Sequence, residues 1–293
     1  MKFNYQFKDY LKLIIPEIIF IILNKIQYLF KAKSNNSFRN LPAREIIKLN
    51  NELFILGNSP TINELDVSIL LDKDVFLCND FHKYSKFDYI KENCNVTYFA
   101  MDSLKSLQND IIYHKNLDLK KFILDYYSQI FSEDYITYVP FDLYEYVQIN
   151  GFFPNCKIEY YEFNNIKNYF KTKLFSNSVD TINLDLALDI RHTPNAMLQY
   201  GLLKEYAIIN LHGLQHSYVK DRFDSIKVVQ HFYQETEETF QNMEHRDLTE
   251  LFLDSYLTFN VYKELNKLAK LLNVKIYDYT IDGCLDMFEK RKV

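Results

Sequence analysis

Glu52-Leu-Phe-Ile-Leu-Gly-Asn-Ser-Pro60, followed by Asp74-Val-Phe-Leu-Cys-Asn79, decides the fold class. Residues 52–56 form an apolar run with the length of a buried strand, broken at once by Gly57-Asn-Ser-Pro60. A helical pattern then runs through Ile62, Leu65, Ile69 and Leu70, and residues 74–79 read as the next strand. A β–loop–α–β unit with a tight small-residue turn is where a doubly wound sheet binds phosphate or nucleotide. In this reading Gly57 lets the backbone approach a ligand closely. Asn58 and Ser59 offer side-chain hydrogen bonds to a ribose or phosphate, and Asn79 points to the same carboxyl edge of the sheet. No Gly-x-Gly-x-x-Gly is present, so the pattern taken alone also fits an ordinary turn with a strand-end cap.

The pattern continues outward from that unit. Strands are expected at 95–100, 134–139, 206–211 and 274–277, separated by helical stretches at 117–131, 194–203 and 247–272. The expected fold is α/β: a single Rossmann-like (GT-A-like) domain with a mainly parallel sheet over residues 49–293, preceded by an N-terminal amphipathic helix. The composition agrees. The 293 residues include 48% hydrophobic residues and 24 each of Tyr and Phe, ample apolar area for a folded core. Five glycines and six prolines exclude collagen-like and low-complexity classes. Cys78, Cys94, Cys156 and Cys284 have no paired spacing, so neither a zinc site nor a disulfide framework is expected.

A net charge of −5 argues against nucleic acid as a partner. That charge is unevenly spread. Residues 1–33 carry six lysines against Asp9 and Glu17, a net of +4, which leaves −9 on the rest. Leu13–Leu23 is apolar but only eleven residues long and contains Pro16 and Glu17, too short to span a bilayer. Leu11, Ile15, Ile18, Ile22, Ile26 and Leu29 share one side of a helix, with Glu17, Asn24, Gln27 and Lys31 opposite. Residues 1–33 are therefore expected to be a basic amphipathic helix. It either lies on anionic lipid at the cytoplasmic face of the inner membrane or packs on the body or on a second subunit, as in a homo-oligomer. Residues 34–48 form the linker.

Two later clusters carry chemistry. In Asp189-Ile-Arg-His-Thr-Pro-Asn195, Thr193 reads as an N-cap and Pro194 as the first helical residue. The helix start and the Arg191 guanidinium suit a carboxylate or phosphate, although the same residues also make an ordinary helix start with a surface ion pair. His212-Gly-Leu-Gln-His-Ser-Tyr218 follows a strand, placing Gly213 and His216 on a carboxyl-edge loop. His231 lies in Gln230-His-Phe-Tyr233, ahead of the long C-terminal helix. Asp72-Lys-Asp74 has the letters of a metal–diphosphate motif but precedes its strand, which puts it on the wrong edge.

Strand, Gly-Asn-Ser-Pro, helix and then Asp74-Val-Phe-x-Cys-Asn-x-Phe81 together resemble the start of the bacterial sialyltransferases of glycosyltransferase family 42. The Arg191 segment, the strand with Gly213 after it, and the closing helix with Lys275-Ile-Tyr277 match that family in order, over about residues 52–288. The resemblance implies CMP contacts at Asn58 and Asn79, and a general-base histidine at His231 by order or His216 by chemistry. It also implies metal-independent transfer without a cofactor, the donor phosphate being held by hydroxyls and other side-chain donors. Two positions depart from the family pattern: Ala100 stands where the family has a third Asn, and Gln215 where it has an acid.

The function expected from these residues is transfer of a sugar, a nonulosonic or Kdo-type acid, from a CMP-activated donor to a bacterial surface-glycan acceptor. Such a donor reacts through an oxocarbenium-like transition state, which needs a base for the acceptor hydroxyl and donors for the departing phosphate. The alternatives are a non-catalytic nucleotide- or glycan-binding Rossmann module, a transferase for another nucleotide sugar, and a pyrophosphokinase-like enzyme on a related fold.

Overall fold

The computed structural model describes residues 48–102, 118–144, 147, 150–161, 166, 170, 184–216, 232, 247–280 and 282–292. All belong to the compact unit Ile46–Val293. The amphipathic helix expected over 1–33, all but the last residue of the 34–48 linker, and His231 lie outside them.

The strands are β1 (Glu52–Leu56), β2 (Asp74–Cys78), β3 (Asn95–Phe99), β4 (Ile136–Pro140), β5 (Lys157–Tyr161), β6 (Ile208–His212), β7 (Lys275–Asp278) and β8 (Glu289–Lys290). The central β-strands, β1 to β4 and β6, are short and mostly apolar, and largely buried on both faces as parallel strands are. They form one sheet in the order β5-β4-β3-β2-β1-β6-β7-β8, and every pairing is parallel. The helices are α1 (Phe87–Asn93), α2 (Leu119–Tyr127), α3 (Leu184–Ala187), α4 (Thr193–Leu203) and α5 (Leu248–Leu271).

Alternation along β1 splits the core in two. Leu53 and Ile55 pack with Ala196, Met197 and Leu198 of α4 and with Val261, Leu265 and Leu268 of α5. Phe54 and Leu56 pack on the other face with Ile90 of α1 and with Ile123 and Tyr127 of α2. The chain leaves β1 toward β2 and leaves β6 toward β7, in opposite directions. The β1/β6 boundary is thus the switch point, where a crevice opens at the carboxyl edge.

The expected fold class holds, with local corrections. The helix expected after Pro60 is two 3-10 turns, Pro60–Glu64 and Val67–Leu70. Leu65 between them is extended, and Asp66 restarts the chain by accepting from Ser68 N at 3.0 Å, a local bond that competes with helix continuation. β5 was not expected, because Lys157 and Glu159 break its apolar run and four of its five residues are only half-buried, as suits an edge strand. The two-residue β8 was not expected either. The predicted long C-terminal helix is α5; its N-cap Asp247 accepts from Thr249 N at 2.7 Å.

Candidate functional site

Five segments converge at the switch point. Asn58 and Ser59 after β1, Cys78 and Asn79 at the end of β2, Met101 and Asp102 after β3, residues 190–194 leading into α4, and residues 213–216 after β6 line a cleft of about 240 Å³. The cleft therefore gathers Asn58, Ser59, Asn79, Arg191, Thr193, Gly213 and His216, which stand far apart in the chain.

Gly57 is not among the lining residues. A Cβ there would sit 2.3 Å from the Gly213 carbonyl oxygen and 2.3 Å from Leu214 Cδ2. The absent side chain lets two loops cross, rather than letting a ligand approach as the sequence suggested. Gly57 N donates to His212 O at 2.8 Å and Ser59 N to Gly213 O at 3.1 Å, so the crossing is stitched on both sides. Gly213 takes φ +68, which explains the glycine at that position too. Ser59 is buried and shares its hydroxyl with Thr61 at 2.6 Å. Asn58 Oδ1 is buried without a hydrogen-bond partner, while its backbone carbonyl accepts from Phe232 N at 2.9 Å.

Asn79 adopts φ +47, a left-handed conformation that asparagine tolerates better than most residues. Tyr98 of β3, fully buried, holds it there: the phenol donates to Asn79 O at 2.5 Å and accepts from His82 N at 3.0 Å. Across the cleft, Thr193 Oγ1 donates to Asn79 Oδ1 at 3.0 Å. The N-cap of α4 is His192, not Thr193. Asn195 Oδ1 accepts from His192 N at 3.0 Å and Asn195 N returns to His192 O at 2.9 Å, which makes Thr193 the first helical residue. Arg191 Nε donates to Asp189 Oδ2 at 2.7 Å. Gln199 on α4 donates to Ala187 O at 3.1 Å and accepts from Tyr161 of β5, fixing the segment that leads into the site.

His216 Nε2 and the Tyr262 hydroxyl of α5 are 2.9 Å apart, and the His216 ring lies 5.5 Å from that of His192. Burial, with the His192 ring adding, pushes the His216 pKa down to about 3. Its imidazole is therefore neutral at physiological pH and a weak proton acceptor. His212 faces away from the cleft, stacked on Tyr279 at 4.7 Å, and burial lowers its pKa to about 4. The Cys78 thiol is pushed up to about 12 by burial and by the Asp80 and Asp102 carboxylates, so it is not a nucleophile at neutral pH.

Asp102 is the lining residue that sequence reasoning missed. Its signal is an acid two residues beyond the strand expected at 95–100. Tyr126 OH lies 3.5 Å from its Oδ2. Asp74 sits at the opposite edge, as expected, accepting from Leu49 N at 3.1 Å and Asn95 Nδ2 at 2.6 Å. No helix among the described residues is long and apolar enough to cross a membrane.

No protein-family model and no curated protein matches this chain. Two solved structures are similar to it. The monofunctional alpha-2,3-sialyltransferase Cst-I of Campylobacter jejuni shares 17% identity at a TM-score of 0.45, over 85% of this chain and 83% of that one. The sialyltransferase CstII of the same organism, solved with the substrate analogue cytidine-5'-monophosphate, shares 15% identity at a TM-score of 0.39, over 83% and 85%.

Proposed function

We propose that this chain is a glycosyltransferase that moves an acidic sugar from a CMP-linked donor to a glycan acceptor. The convergence of Asn58, Asn79, the Arg191–Thr193 helix start and the Gly213 loop on one switch-point cleft carries this reading. A nucleotide phosphate beside the start of α4 meets the positive end of the helix dipole. Asn58 Oδ1, buried and unpartnered, suits a nucleoside hydroxyl or amine that donates.

His231 is the proposed base. His216 is the weaker candidate, because its pKa of about 3 leaves little driving force for taking a proton. Phe232, the next residue after His231, donates its N–H to Asn58 O at the cleft rim. His231→Ala is expected to lower turnover about 10²–10⁴-fold with CMP affinity nearly unchanged. The acceptor is a surface glycan in this proposal, and residues 1–33 hold the enzyme near it at the membrane.

The test is incubation with CMP-sialic acid, CMP-Kdo and UDP-sugars, following release of the nucleotide. Release of CMP from one acidic-sugar donor is the expected result. No turnover of any donor, together with tight binding of a free nucleotide, would favour the non-catalytic module.

A further inference from the structure

The hydrogen bond between Thr193 and Asn79 fixes the polarity of the cleft. A threonine hydroxyl has one proton to donate, and here it points to Asn79 Oδ1 at 3.0 Å. The hydroxyl then retains only lone pairs, and a phosphate is itself an acceptor. The Asn79 carboxamide is planar, so engaging Oδ1 toward α4 turns Nδ2, with its two protons, the other way. Tyr98 pins the Asn79 backbone from below at 2.5 Å, so only the side chain is left to be oriented. At the neighbouring strand, Asn58 offers the opposite polarity: its Oδ1 is buried with no donor.

We infer that Thr193 is a positioning residue that locks the Asn79 amide so that Nδ2 donates to the nucleotide phosphate, while Asn58 Oδ1 accepts from the nucleoside. This rests on the nucleotide-binding reading of the cleft and gives Thr193 a role other than the N-cap expected from sequence. It also sets the direction of the ligand. The phosphate lies toward Asn79 and the start of α4, and a hydroxyl or amine of the nucleoside lies toward Asn58.

A double-mutant cycle tests it, with CMP and cytidine titrated calorimetrically into the full chain. Thr193→Val is expected to weaken CMP about tenfold in the wild-type background, the scale of one misdirected hydrogen bond, and to change nothing in an Asn79→Ala background. Thr193→Ser keeps the hydroxyl and should bind CMP like wild type, which also carries the test if the valine variant folds poorly. Asn79→Asp still accepts from Thr193 but replaces the amide donors by a negative charge. It should weaken CMP by about a hundredfold or more and leave cytidine unchanged. An equal Thr193→Val penalty in both backgrounds would overturn the assignment, because Thr193 would then touch the ligand itself. So would a Thr193→Ser variant as weak as the valine one, or an Asn79→Asp variant with wild-type CMP affinity. A wild-type chain that binds neither CMP nor cytidine removes the nucleotide reading as a whole, an outcome distinct from these three.

Discussion

Adding one methyl group at Gly57 should damage both fold and site, and the geometry gives the size of the effect. A Cβ at that position lies 2.3 Å from a backbone oxygen and 2.3 Å from a leucine methyl, against an ordinary contact of 3.4 Å or more. The Leu214 side chain can rotate away, but the Gly213 carbonyl cannot, because it accepts from Ser59 N. Relief therefore requires the two loops to part by about 1 Å, an overpacking cost of about 1–3 kcal/mol. Parting also weakens the Gly57–His212 and Ser59–Gly213 bonds, about 1 kcal/mol each. Gly57→Ala is thus expected to lose about 3–5 kcal/mol, a large share of the stability of an ordinary domain. Gly151→Ala is the internal control: nothing lies within 4 Å of its added methyl, and only its φ of +64 is unfavourable. That control should lose about 1–2 kcal/mol. The assay is urea unfolding of both variants beside wild type, with CMP titrated into whichever variants remain folded. A Gly57→Ala protein with the wild-type midpoint and wild-type CMP affinity would refute the claim that the crossing of these loops builds the cleft.

Other substitutions and conditions follow the same logic. Tyr98→Phe leaves the Asn79 carbonyl and the His82 N–H without their phenol partner and should cost about 2–4 kcal/mol, measured by urea unfolding; a loss below about 0.5 kcal/mol would contradict the pinning role. Acid should destabilise the chain. His212 and His216 have folded pKa values of about 4 and about 3, so the unfolded chain binds more protons once pH falls below the ordinary value near 6.5. Stability is complete above that value and is lost as pH falls toward 4 and then 3, by about 2 kcal/mol per histidine at pH 5. Unfolding midpoints at pH 8, 6 and 5 measure this, and His216→Gln should flatten the dependence; a wild-type protein equally stable at all three would rule it out.

The sheet was readable because buried parallel strands are continuous apolar runs, and Glu52–Leu56, Asp74–Cys78 and Asn95–Phe99 have that form. What escaped was governed by contacts between distant segments. β5 forms on an edge whose partner, β4, supplies the order that its own Lys157 and Glu159 do not signal. The N-cap of α4 moved to His192 because Asn195 reaches back to its N–H, and Thr-Pro in sequence carries no sign of that. Gly57 stands out in sequence for its missing side chain, but its neighbour is Gly213, 156 positions further along the chain. The residues that line the cleft were largely legible, since loops after β1, β2 and β6 must share an edge in a parallel sheet. Which atoms they present was not legible, because the Asn79 amide is oriented by a hydroxyl on α4.

The chemistry of the cleft narrows how such a transferase works. A double displacement needs an activated nucleophile, and Cys78, the thiol in the cleft, is held protonated with a pKa of about 12. Ser59 shares its hydroxyl with Thr61, with no base on that bond. His216 sits against Tyr262 with a pKa of about 3 and has little affinity for a proton. What the described residues do supply is fixed dipoles and a cation lining one cleft: the start of α4, the Asn79 amide and the Arg191 guanidinium. Dipoles so placed favour a departing phosphate over the intact donor, because negative charge grows on it as the glycosidic bond breaks. A sugar leaving in this way becomes electrophilic enough for a hydroxyl assisted by a single base. On the proposed function, the pathway expected of these groups is a direct displacement at the anomeric carbon. It requires one proton acceptor on the acceptor side of the cleft.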